Sequence, residues 1–241
     1  MSSVPSHMTA VLLTGHGGFD ALLASSEIPV PEVGDREVLI RVRAAGINNT
    51  DINTRTGWYS KGSSDTDDGT WNGAPLTLPR IQGADVCGEI VAVGRDVSTE
   101  RIGQRVIIEP VLREVAGETL ERAHYFGSEC DGGFAQFTKV ASVHAHHINS
   151  KLSDEELASF PCSYSTAENM LTRAGLSRGE TVLITGASGG VGSAAIQLAK
   201  ARGARVIAVV SADKAVPIRA LGADVTLDRA EDSLRALGAN A

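Results

Sequence analysis

Apolar positions follow two different rhythms along this chain, and the change falls near residue 150. Before it, short runs bounded by Gly, Pro or Asp dominate: residues 11–14, 37–44, 88–93 and 105–109. Each reads as a β-strand. The second half of Glu37-Val-Leu-Ile-Arg-Val-Arg-Ala44 alternates apolar and polar residues, as a strand with one buried face must. Residues 134–140 and 143–148 predict two more strands after the Asp131-Gly-Gly133 turn. Residues 60–77, rich in Gly, Ser, Asp and Asn, predict a long loop of the kind that often covers a site.

From Lys151 the period lengthens. Ser153-Asp-Glu-Glu156 is a capping box that opens a helix, and residues 166–174 continue as helix up to Gly175. Strands at 181–185, 205–210 and 224–227 then alternate with helices at 190–202, 213–221 and 230–237. Strand–helix repetition at this spacing builds a parallel sheet through βαβ units. The expected fold class is α/β: a β-rich domain over 1–150, then part of a doubly wound dinucleotide-binding domain over 151–241.

The strongest chemical signal is the turn in Thr181-Val-Leu-Ile-Thr-Gly-Ala-Ser-Gly-Gly-Val-Gly192. A β-branched run ends in glycines and a helical pattern follows at once. Glycines let the backbone approach a pyrophosphate, and the helix N-terminus offers unpaired N–H groups and a positive dipole end. Aligned with G-x-G-x-x-G, Ala187 takes the first position, followed by Gly189 and Gly192. Ala187, Ser188, Gly189, Gly190, Val191 and Gly192 are therefore expected to bind the cofactor. Nineteen residues past Gly192 stands Ser211, where an NAD-preferring site carries a carboxylate on the ribose. Ser211 and Lys214 suit a 2′-phosphate instead, with Asp213 expected to cap the next helix. The predicted cofactor is NADP (NADPH).

Composition trims the alternatives. The net charge of −7, with no basic stripe, argues against nucleic acid as a partner. No window approaches the roughly 20 apolar residues of a membrane span. Three scattered cysteines, Cys87, Cys130 and Cys162, suit reduced thiols in a cytoplasmic protein. The acidic run Asp65-Thr-Asp-Asp68 reads as a solvated loop tip. In His144-Ala-His146-His147 a strand would put His144 and His146 on one face, with no carboxylate or thiol close in sequence to complete a metal site. They are expected to be exposed strand-end residues.

With these elements in place the chain resembles the medium-chain dehydrogenase/reductase superfamily, in its zinc-free quinone reductase and enoyl reductase branch. The resemblance runs from Met8 onward through Ala45-Gly-Ile-Asn48, Pro79-Arg-Ile-Gln-Gly83, Gly88-Glu-Ile-Val-Ala-Val-Gly94, Gly103-Gln-Arg-Val106 and Asp131-Gly-Gly-Phe-Ala135. It implies a GroES-like first domain and a Rossmann second domain. Zinc relatives place Cys where this chain has Asn48, and Gly-His-Glu where it has Gly83-Ala84-Asp85. Their third ligand falls at Cys162, and their four-cysteine loop is reduced here to Cys130. One thiolate and one carboxylate do not make a tetrahedral site, so no metal is expected and Cys162 is read as a buried small hydrophobe.

The resemblance also implies roles. Asn48 and Tyr59 would hydrogen-bond the substrate oxygen, Asn53 replaces a tyrosine of the quinone reductases, and Thr166 joins the cofactor set. The implied reaction is hydride transfer to a quinone or another activated C=C or C=O small molecule. An enoyl-thioester reductase is one alternative, and a catalytically incompetent nucleotide-binding protein another. Oligomeric state stays open, since relatives form homo-oligomers through the far edge of the cofactor sheet. The glycine turn lies 49 residues from Ala241, so the chain is expected to be a piece of a protein roughly 80–100 residues longer.

Overall fold

The computed structural model of the protein describes residues 4–60 and 69–230. The acidic run at 65–68 and, apart from Ala230, the predicted helix at 230–237 lie outside the described residues. Contacts divide the chain into two compact units, Met1–Cys162 and Ser163–Ala241.

The first unit opens with β1 (His7–Leu13), β2 (Leu22–Pro29) and β3 (Glu37–Gly46). A short helix α1 (Asn49–Arg55) leads to β4 (Arg80–Ile81), β5 (Asp85–Val93) and β6 (Arg105–Ile108). The hairpin β7 (Val111–Val115) and β8 (Glu118–Tyr125) follows, then β9 (Phe137–Ala141), β10 (Ala145–His147) and helix α2 (Asp154–Ala158). Five strands form one antiparallel sheet in the order β10-β6-β5-β3-β9, and β2-β1-β4 form another. Val38, Ile40, Val86, Ile90, Val106, Ile108 and Phe126 fill the main core of this unit.

Strand β3 shows how register shapes a sequence pattern. Its first four residues are all buried, while its second half mixes half-buried and exposed positions. Residues Glu37 to Arg41 pair with β9 on one side and residues from Val38 pair with β5 on the other; beyond Arg41 only β5 remains. The strand loses one neighbour there, and the alternation of a half-covered strand begins.

Several elements carried no periodic signal. Strand β2 is largely exposed at a sheet edge, so nothing forces its residues to alternate. The β7–β8 hairpin is charged, and it turns at Ala116 and Gly117, both at positive φ. Two consecutive positive φ values match the hand of a two-residue hairpin turn to the strand twist. Helix α1, Asn-Thr-Asp-Ile-Asn-Thr-Arg, has no apolar stripe and is fixed by its start: the Asn48 N–H donates to Asp51 Oδ2 at 2.8 Å. The predicted loop at 60–77 is partly ordered by Asn72, whose amide donates to the Ala123 carbonyl and whose oxygen accepts from the Ala74 N–H.

The capping box at Ser153 is present with both hydrogen bonds. Leu157 and Ala158 of α2 pack with Cys87 of β5, which ties that helix to the first unit. Contacts therefore divide the chain after Cys162, beyond the change of rhythm at 150.

Helix α3 (Pro161–Arg173) leads into the second unit, followed by β11 (Thr181–Ile184), α4 (Gly190–Ala201), β12 (Arg205–Val210), α5 (Ala215–Ala220) and β13 (Val225–Asp228). The three strands pair in parallel in the order β11-β12-β13, as the βαβ pattern requires. A 3₁₀ turn, Ala212–Lys214, precedes α5, so the predicted helix at 213–221 begins tighter than an α-helix. Ala194, Ile196, Ala199, Val206, Ala208 and Ile218 form its core. The small residues of α4 let the helix lie close on the sheet. Among the described residues no helix is long and apolar enough to cross a membrane.

Candidate active site

In the first unit the chemistry gathers where β3 ends, α1 begins and β5 starts. Asn48 caps α1 at the end of β3, and its Nδ2 donates to Asp85 Oδ2 at 2.9 Å. The other oxygen, Asp85 Oδ1, accepts the Cys162 backbone N–H at 2.6 Å. Asp85 is 1% exposed, and burial raises its carboxyl to about 6 despite the two donors. Asp51, also buried, receives the Asn48 and Gly83 N–H groups. Desolvation pushes its pKa up as well, against those backbone donors. No residue with a Cβ fits between β3 and α2 here without displacing a neighbour: a Cβ on Gly46 would meet the Ala158 carbonyl at 2.7 Å and Asp85 Cβ at 3.0 Å.

One turn further along, Tyr59 Oη lies 3.1 Å from Thr50 Oγ1, and Trp58 packs edge-on against the Tyr59 ring at 5.4 Å. Ile47, Ile52 and Trp58 around these groups are exposed. Asn48 and Tyr59 are both half-buried on this segment. Asn53 enters differently: its carbonyl accepts the Trp58 N–H at 2.8 Å and closes the end of α1.

Cys162 is more than a small hydrophobe. The Tyr125 hydroxyl donates to its sulfur at 2.9 Å, and burial raises the thiol to about 11. Trp71 stacks on the Tyr125 ring at 5.0 Å. Asn48 and the Cys162 backbone are thus joined through the Asp85 carboxylate that lies between them. Among the described residues no group of three or more His, Cys, Asp or Glu could hold a metal ion.

The histidine triplet requires a correction. His144 is 4% exposed and lies in a 3₁₀ turn, not in a strand. Its Nε2 accepts the backbone N–H groups of Arg113 and Glu114 at 3.0 and 3.1 Å, which leaves the proton on Nδ1 for Glu109 at 3.0 Å. Antiparallel pairing of β10 with β6 delivers Glu109 from 35 positions away, which no local reading could see. His146 and His147 are exposed, as expected.

In the second unit β11 runs into the glycine turn. Gly186 adopts φ +59, the left-handed conformation that favours glycine, and so begins the turn one residue before the aligned Ala187. Ala187 is fully buried in the core and presents no side chain to a ligand. Gly192 lies so close to the Gly186 carbonyl and Ala187 Cα that any Cβ there would collide with backbone. Ser188, Gly189 and Gly190 are exposed at the start of α4, where the first N–H groups of a helix have no partner within it. Val191 is half-buried on the same turn, and Thr166 is half-buried on α3.

At the end of β12 the arrangement differs from the expected cap. Ser211 itself precedes the 3₁₀ turn, and its hydroxyl hydrogen-bonds the Asp213 carboxylate. That bond, with Lys214 and Arg229 nearby, holds Asp213 below the ordinary carboxylate range. Lys214 is exposed.

Known proteins place this geometry. The alcohol dehydrogenase GroES-like domain matches residues 34–150. A 2-methylene-furan-3-one reductase of Solanum lycopersicum is 32% identical over 98% of this chain and 55% of its own length. The chloroplastic NADPH-dependent alkenal/one oxidoreductase of Arabidopsis thaliana is 32% identical over 98% of this chain and 56% of its own. A crystal structure from Sinorhizobium meliloti 1021, provisionally assigned as an alcohol dehydrogenase, superposes with a TM-score of 0.87 at 47% identity, covering 96% of this chain and 64% of that one. Residues 34–150 thus form an alcohol dehydrogenase GroES-like domain, and over nearly its whole length the chain is similar to these reductases and dehydrogenases. It spans about half the length of the curated relatives it matches.

Reading the sequence singles out Asn48, Tyr59 and Cys162 but not their hydrogen-bond partners Asp51, Thr50 and Tyr125. Asn48-x-x-Asp51 is itself a capping-box spacing and could have revealed α1. Tyr125 carries no such local signal, because β8 reaches Cys162 only through the fold.

Proposed function

We propose that this chain supplies the substrate-binding and nucleotide-binding parts of an NADPH-dependent reductase of activated double bonds. The observation that carries this reading is the Asn48–Asp85–Cys162 arrangement. Where zinc relatives hold a Lewis acid, this protein holds an amide and a hydrogen-bonded carboxylate. Carbonyl polarisation by a metal is thereby replaced by hydrogen-bond donors, which suits an acceptor that is already activated.

The second unit fits a dinucleotide on its own geometry. Its turn uses the left-handed backbone of Gly186 and has no room for a Cβ at Gly192, and Ser188, Gly189 and Gly190 stand exposed at a helix N-terminus. A bound reduced nicotinamide would supply a hydride to the β-carbon of the acceptor. The C=C electron pair then shifts toward the substrate oxygen, and the α-carbon takes a proton from water. Asn48 has one amide hydrogen on Asp85 and a second to donate to that oxygen. When Thr50 donates to Tyr59 Oη, the phenol proton is left for the same task. Lys214 neutralises the 2′-phosphate, while Ser211 draws Asp213 aside. The name of the Arabidopsis relative supports both NADPH and an enone acceptor.

The test is cofactor titration followed by turnover of the 241-residue chain with an enone, a quinone and crotonyl-CoA. NADPH binding with enone or quinone reduction supports the reading. Turnover of the thioester alone makes the protein an enoyl-thioester reductase. Tight binding with no oxidation of NADPH reduces it to a nucleotide-binding protein.

A further inference from the structure

We infer that Asp85 is a positioning residue, one that fixes which way the Asn48 amide faces and so presents its second N–H to the substrate. The role rests on the reductase reading for its purpose, but on the geometry of the first unit for its existence.

A primary amide can occupy its site in two orientations that differ only by exchange of oxygen and nitrogen. A carboxylate accepts but does not donate, so an ionised Asp85 Oδ2 at 2.9 Å admits only the Asn48 nitrogen. The carboxylate cannot swing away. Its other oxygen is held by the Cys162 N–H at 2.6 Å, and Gly46 lets it lie against β3 with no room for a Cβ. Four elements therefore set one amide: β5 supplies the carboxylate, the end of β3 the amide, α3 the N–H, and α2 the wall at Ala158.

The charged and titratable groups facing Asp85 are few. Asp51 on α1 opposes its ionisation through charge, the Cys162 thiol lies at the start of α3, and the Tyr125 hydroxyl of β8 is occupied by that thiol. Protonated Asp85 would carry a hydrogen and could satisfy either face of the amide. The constraint on Asn48 thus holds while Asp85 is ionised and relaxes when it is protonated.

The decisive experiment follows the Asn48 side-chain NH₂ pair by ¹⁵N–¹H NMR on the full chain, assigned by its loss in Asn48→Ser. We expect the two protons to be well separated in shift and to move in one step centred near pH 6, scanned about two pH units either side. In Asp85→Asn the step disappears while Asn48 and its backbone remain in place. If Asp85→Asn does not fold, ¹³C titration of the Asp85 carboxyl in Asn48→Ala decides instead: loss of the donor must move its midpoint upward. An Asn48 pair that ignores both pH and Asp85→Asn, or an Asp85 midpoint indifferent to Asn48→Ala, overturns the assignment. In a chain that turns over enones, Asp85→Asn should lower kcat more than it raises KM. NMR coupling without any turnover would refute the reductase reading and leave the positioning intact; turnover without coupling would do the reverse.

Discussion

The two units build their sites from opposite materials. In the second, the glycine turn works through backbone: Gly186 for its conformation, Gly192 for close approach, and the exposed N–H groups at the start of α4. In the first, side chains from distant strands converge, and Asp85, Asn48, Cys162 and Tyr125 span 115 positions from first to last. A backbone site is contiguous and rigid by construction. A side-chain site depends on every element that delivers a member, and it can bury charge. That is why raised carboxyls, Asp51 and Asp85, occur in the first unit, while in the second Asp213 is lowered by its Ser211 hydrogen bond and Asp224 by the Val206 N–H and Lys200.

This contrast can be broken in four places. The largest effect is expected from His144→Ala, which strands the Arg113 and Glu114 N–H groups and the Glu109 carboxylate and should cost about 3 kcal/mol. Urea unfolding of the first unit measures it, and an unchanged midpoint would mean the buried ring is not holding that loop. Next, Gly192→Ala should cost about 2 kcal/mol by forcing α4 off β11, and should abolish nucleotide binding. Retained binding in that variant would show that the turn tolerates side chains.

The third concerns pH. Burial pushes the Asp85 carboxyl up from the ordinary 3.8 of the unfolded chain to about 6 in the folded protein. The folded state therefore binds the extra proton between those values, so this group makes stability fall as pH rises through about 4 to 6, with no further change above. Relative to Asp85→Asn, the wild type should lose about 1–2 kcal/mol across that window. A parallel pH dependence in both proteins would remove the buried charge from the comparison. Smallest is Lys214→Ala, expected to weaken NADPH roughly tenfold and leave NADH unaffected, a loss of about 1.4 kcal/mol. Equal loss for both cofactors would place Lys214 on the pyrophosphate or the fold.

The same contrast explains what could be read in advance. The βαβ rhythm and the glycine turn are local, so β11 to β13 and α4 stood out in the bare chain. Even there, burial of Ala187 depends on packing, and the Ser211–Asp213 hydrogen bond belongs to a 3₁₀ turn that no apolar pattern marks. In the first unit the strongly apolar strands β3, β5 and β6 were legible, because burial on both sides demands continuous apolar runs. Strand β2 and the β7–β8 hairpin were not, since exposed edge residues obey no period. Asn48 and Tyr59 come forward through resemblance, and Asp85 only as a carboxylate that, with one thiolate, is too little for a tetrahedral zinc site. Its role as the acceptor that holds an amide required knowing that β3, β5 and α3 meet at one point.

The tryptophans have a practical consequence. The chain has two, and both belong to the first unit, Trp58 against Tyr59 and Trp71 stacked on Tyr125. Indole emission is therefore a private reporter of the side-chain site, blind to melting of the βαβ layer. Circular dichroism of the helices, most of which lie past Cys162, reports the other half. Two optical signals from one unlabelled sample thus separate the two units, and either can be watched while the other is perturbed.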